Sequence, residues 1–140
     1  MDLIEIQRLA VKMRDGIESI PLSERPIGLQ AFPLGACSDA SLLLGAYLKD
    51  CGHGKFTLIS AERGCVEDHS WVSHAWLMRG RLIVDITADQ FEDAPKHLIF
   101  TSPSLWHKTF KVKDKWPGDF RDWSGPSINQ LSGLYKKLEI

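Results

Sequence analysis

Apolar residues first recur at helical spacing. Leu3, Ile6, Leu9, Ala10, Met13, Ile17 and Ile20 share one face, which predicts an amphipathic helix over residues 2–19. The rhythm then breaks. Pro21, Pro26, Gly28, Pro33 and Gly35 interrupt residues 21–36, a stretch too broken for a helix and expected to wrap over the domain. Helical spacing returns from Cys37 to Asp50, where Ala40, Leu42, Leu43, Leu44, Ala46, Tyr47 and Leu48 leave almost no polar face. A helix apolar nearly all round belongs in the interior. Gly52 and Gly54 mark its end.

Beyond them the pattern shortens. Lys55–Ala61 predicts a strand, and a loop with Gly64, Glu67 and Asp68 follows. Two more strands, about 71–78 and 81–87, are divided at Arg79-Gly80. The apolar runs His97–Phe100 and Trp106–Val112 are candidates for later strands. Residues 114–126 hold Pro117, Gly118, Gly125 and Pro126 and read as loop, with Ser127 as the N-cap of a last helix through Leu138. Helix, helix, strands, helix predicts one α+β domain over 1–140, its central helix packed on a mainly antiparallel sheet.

Composition excludes more than it specifies. A net charge of −1 provides no basic footprint, so no nucleic-acid partner is expected. No apolar run approaches the roughly 18 residues a membrane span needs, and the N-terminus is unlike a secretory signal. Three cysteines are an odd number and none forms a CxxC pair, which points away from a disulfide framework and toward a cytoplasmic protein. An effector exported by a specialised machine would have the same composition.

The candidate chemistry lies in two short segments. Cys37 begins a helix, where free backbone N–H groups and the positive helix end favour a thiolate and could hold an oxyanion. The plain alternative is a small buried hydrophobe, as most free cysteines are. Cys51, at the opposite helix end, and Cys65, in a loop, read as incidental. His74 and Asp85 fall on the two strands joined at Arg79-Gly80. If those two residues form the hairpin loop, Met78 faces Arg81 and His74 lies directly opposite Asp85, with Cβ atoms about 4.5–5.5 Å apart. A one-residue slip would put the two side chains on opposite faces. Taken singly, His74 could be a satisfied core histidine and Asp85 a strand-end residue bonded to local backbone. Taken together, thiol, base and orienting acid form a cysteine nucleophile system.

His69 is a rival base, but no carboxylate stands at the matching downstream offset. A metal site from Cys65, Asp68, His69 and His74 has suitable ligand types without an established spacing, and neither metal nor cofactor is expected.

Gly35-Ala36-Cys37, His74-Ala75-Trp76 and Asp85-Ile86-Thr87 resemble, in that order, the core of the transglutaminase-like cysteine enzymes within the papain-like superfamily. The resemblance spans about residues 33–91. Phe32 to Cys37 together with Asp85 to Phe91 is also similar to small bacterial and phage-borne members. Ala36 stands where the family carries an aromatic residue. The resemblance implies Cys37 as nucleophile, His74 as general base and acid, and Asp85 as the orienting residue. It implies an acyl-enzyme formed from a protein or peptide amide or a thioester, with water or an amine as second substrate. Gln30 would supply a side-chain oxyanion donor, as a glutamine does in papain-like enzymes, or else be a solvated loop residue. Asp89 and Gln90 would line the cleft or cap the strand end. An inert domain that keeps this fold to bind a partner is the competing function.

Overall fold

Asp2 starts the first helix, α1 (Leu3–Ser19), its carboxylate accepting from the Glu5 N–H at 3.0 Å. Ile6, Leu9, Ala10, Met13 and Ile17 are its buried stripe. The connection that follows contains two 3-10 turns, Leu22–Glu24 and Ile27–Leu29. The second helix, α2 (Cys37–Asp50), is buried without interruption from Ala40 to Leu48. The computed structural model describes residues 2–32, 36–101 and 104–138, with backbone only at 99–101. Gly35, which the sequence marks beside Cys37, lies outside the described residues.

The sheet has five strands: β1 (Thr57–Arg63), β2 (Val72–Arg79), β3 (Leu82–Val84), β4 (Ile99–Thr101) and β5 (Lys111–Pro117). Their order is β4-β3-β2-β1-β5, and every pairing is antiparallel. The chain is thus α+β. Period-two alternation divides the side chains between two cores. Leu58, Ala75, Leu77, Leu82 and Val84 join the main core with α1, α2 and the last helix, α3 (Pro126–Lys137). Ile59, Ala61, Trp76 and Ile83 form a second, smaller core with Ala88, Trp106 and Phe110. Among the described residues no helix is long and apolar enough to cross a membrane.

Three local expectations are corrected. Trp106–Phe110 is not strand: the buried residues Trp106, His107 and Phe110 follow the spacing of a turn, and His107–Thr109 is a 3-10 turn. The strand, β5, takes in only the end of the Trp106–Val112 run, at Lys111 and Val112, and continues into the segment from 114 read as loop. As an exposed edge it has no apolar alternation to reveal it, and Lys111, Lys113 and Lys115 blunt its free side. The last helix begins at Pro126 after Gly125, so Ser127 lies within it and caps nothing. Proline at the first helical position has its φ already set for a helix.

Gly45 lets α2 approach the turn after β5, because a Cβ there would overlap the Gly118 carbonyl oxygen. Gly45→Ala should therefore cost about 1–3 kcal/mol through overpacking, read as a lower urea midpoint. An unchanged midpoint would show that this approach is not tight.

Candidate active site

The β2–β3 hairpin aims the site's imidazole. Its last pair is Arg79 with Leu82, so the loop is Gly80-Arg81 rather than Arg79-Gly80. Gly80 has φ +59° and Arg81 does not share a positive φ, the pattern of a II′ turn with glycine first. The register differs by two residues from the expectation, and a shift of two keeps every side chain on its face. His74 and Asp85 are therefore diagonal rather than opposite. Diagonal neighbours remain within reach of long side chains, and His74 Nε2 lies 2.7 Å from Asp85 Oδ2.

Asp85 sits just beyond β3, where its N–H still donates to the Leu98 carbonyl at 2.9 Å. The Thr87 N–H donates to Oδ1 at 3.2 Å. Both sequence readings of Asp85 hold at once, with one oxygen on local backbone and the other on His74. His74 is 1% exposed and Asp85 0%. Trp76, Phe91, Trp106 and Phe110 enclose the imidazole, with ring centroids 5.1–5.7 Å away. In such surroundings an isolated charge is costly, so the pair must carry its own compensation.

Burial works against charge on His74. The hydrogen bond and charge of Asp85, then those of Cys37, outweigh it and push the pKa up to about 9. Burial would likewise raise Asp85, but hydrogen bonds from His107 and His74 and their charges hold its carboxyl below the usual range. Each partner thus favours the charged form of the other. With Nε2 committed to Asp85, Nδ1 is the ring nitrogen turned away from the carboxylate, and Cys37 sits partly exposed at the start of α2. Ala36 offers no side-chain cap there, so the first-turn N–H groups meet no competing cap acceptor. His74 and Asp85 are brought together by a direct hydrogen bond, and Cys37 lies near enough to bear on the His74 pKa.

The chain matches no protein-family model, no curated protein and no solved structure. The site must be read from its own geometry.

Of the two readings of Gln30, that geometry favours the loop residue over the oxyanion donor. Its side chain is exposed and its amide donates to the Arg25 carbonyl of its own loop at 3.4 Å. The side-chain amide at the imidazole is Gln90, whose Nε2 lies 3.2 Å from His74 Nδ1. Arg14 of α1 steadies the segment that carries Gln90, donating to the Ile86 carbonyl at 2.9 Å and to both Asp89 oxygens at 2.8 and 2.7 Å. Asp89 is accordingly a tether.

His69 and Cys65 are exposed on the β1–β2 loop, and Asp68 binds Ser70 there. They do not join His74. Trp76 is core, whereas Trp71 is exposed and donates to Glu62 at 3.1 Å.

One residue absent from the sequence reading also reaches Asp85. His107 Nε2 lies 2.8 Å from the same Oδ2, and its Nδ1 lies 2.8 Å from Ser104 Oγ. The available signal was a histidine within an apolar run, three residues after a serine. Among the described residues, His74, Asp85 and His107 are the group whose ligand atoms converge, all within 4.8 Å. Tetrahedral zinc with bonds of ~2.0–2.1 Å would hold its ligand atoms ~3.3 Å apart. The observed 2.7 and 2.8 Å are instead hydrogen-bond lengths.

Proposed function

We propose that this chain is a thiol enzyme of the transglutaminase-like kind, acting on a peptide or side-chain amide through an acyl-enzyme on Cys37. The observation that carries this is His74 engaged by Asp85 and Cys37 at once, with a pKa pushed up to about 9. A protonated His74 stabilises the Cys37 thiolate, and the thiolate is the nucleophile.

The sulfur attacks the carbonyl carbon, and the C=O electron pair moves to oxygen. N–H groups at the start of α2 donate to that oxyanion, and the Gln90 amide at the imidazole is the candidate side-chain donor. Collapse of the intermediate breaks the C–N bond as His74 gives its proton to the departing amine. Water or a second amine then attacks the thioester, His74 takes its proton, and the thiolate leaves. Asp85 holds the imidazole with Nδ1 toward the sulfur throughout and is not itself consumed.

The test is the rate of iodoacetamide labelling of Cys37 at about pH 6–7, where an ordinary thiol is almost wholly protonated. Labelling is located by peptide mass spectrometry, because Cys51 and Cys65 are exposed and also react. Cys37 should react faster than in the denatured chain, and His74→Ala should remove the difference. A native rate no greater than the denatured one would overturn the enzyme reading and favour an inert binding domain.

A further inference from the structure

The mechanism above leaves the buried imidazole of His107 unused. His107 is 4% exposed and stands 22 residues beyond Asp85, on the 3-10 turn that covers the second core. Its hydrogen bonds define its protonation pattern. The His107 backbone N–H donates to Ser104 Oγ at 3.3 Å, so that oxygen already acts as an acceptor. Ser104 Oγ also lies 2.8 Å from His107 Nδ1. Asp85 is held as a carboxylate, which can only accept, so Nε2 carries a proton and donates it to Oδ2.

Asp85 therefore receives the Thr87 N–H on one oxygen and two imidazole N–H groups on the other. Removing either imidazole would leave a carboxylate oxygen with room to swing. The same turn does more than hold the carboxylate. Trp106 and Phe110, on either side of the His107–Thr109 turn, lie 5.7 Å from the His74 ring. Arg63 locks this arrangement from β1, with its guanidinium 4.5 Å from the Phe110 centroid and donating to Thr109 at 2.9 Å and to Asp93 at 3.0 and 2.9 Å.

We propose that His107 is a positioning residue of this site, donating to the Asp85 oxygen that His74 uses and so fixing the plane of His74 and the aim of Nδ1 at Cys37. The inference rests on the thiol-enzyme reading above. It adds Ser104 and His107 to the site as a serine–histidine support for the carboxylate, in which Ser104 holds the far side of the His107 ring.

The test uses the full chain with Cys51→Ser and Cys65→Ser, so that only Cys37 is labelled. Iodoacetamide labelling is followed from about pH 5 to about pH 10, and acyl transfer from p-nitrophenyl acetate is measured beside it. His107→Asn, too short to reach Asp85, should move the low-pH limb of labelling upward and lower kcat roughly tenfold or more with KM little changed. His107→Gln, whose amide N–H can take the place of Nε2–H, should restore most of both. Wild-type behaviour in His107→Asn, or equal impairment in His107→Gln, would overturn the proposal. A wild-type chain with no low-pH reactivity at Cys37 would instead overturn the enzyme reading, and this inference with it.

A measurement on the wild type holds even if the variants misfold. The long-range nitrogen–proton NMR spectrum should show His107 as the Nε2–H tautomer. The Nδ1–H tautomer, or stoichiometric zinc in the purified protein, would overturn the assignment.

Discussion

Cys37→Ser should reduce acyl transfer from p-nitrophenyl acetate by roughly 10⁴–10⁶ and abolish the acyl-enzyme mass increase, while the fold stays intact. The size follows from the chemistry. A hydroxyl beside the same imidazolium has no anion to offer, and members of one nucleophile system fail together when any is removed. Cys37 sits partly exposed at the end of a helix, so the oxygen replacement disturbs little packing. His74→Ala should cost a comparable factor, but it also empties a buried aromatic-walled space, which makes Cys37→Ser the cleaner measurement. Undiminished acyl transfer in Cys37→Ser would show that the reaction runs elsewhere.

Asp85→Ala should be the most destabilising change at the site, lowering stability by about 3–5 kcal/mol, as when one partner of a buried ion pair is removed. Two buried imidazole N–H groups and the Thr87 N–H lose their acceptor at once. Asp85→Asn is gentler. Its oxygen can still accept from both rings, but its amide then faces the Thr87 N–H, donor against donor.

Asparagine also removes the charge, so burial regains control of His74 and its pKa should fall from about 9. The sign for stability follows. A histidine whose folded pKa is raised from 6.5 to about 9 contributes stability that is complete below about pH 6.5 and lost as pH rises through about 9. The wild type should lose up to about 3 kcal/mol of urea stability across that window, and Asp85→Asn should lack that slope. An identical slope in the two proteins would mean that Asp85 does not hold the His74 proton.

Much of this was legible because local patterns recorded it. The all-round apolar run at 37–50 can only be a buried helix, and its first residue is the thiol. The alternation around His74 and Asp85 placed both side chains on one face. The expected hairpin was displaced by two residues, yet the contact persisted because displacement by an even number preserves the face. Trp106–Phe110 misled for the opposite reason. Its apolar content was visible, but the spacing of a single short turn is too brief to be told from a strand. Gln30 was the nearer glutamine in sequence, and Gln90 is the nearer in space.

By itself the sequence determined the α+β class, the helix that carries Cys37 and the pairing of His74 with Asp85, since each follows from hydrophobic period or from residues within one hairpin. Only the tertiary structure decided that His107 and Ser104 stand behind Asp85, that Gln90 meets the ring at Nδ1, and that Asp85 outweighs burial to raise the His74 pKa. Those are contacts between segments far apart in the chain, and no periodicity encodes them. They arise when the two cores close around one buried carboxylate, which in that setting must gather every donor within reach.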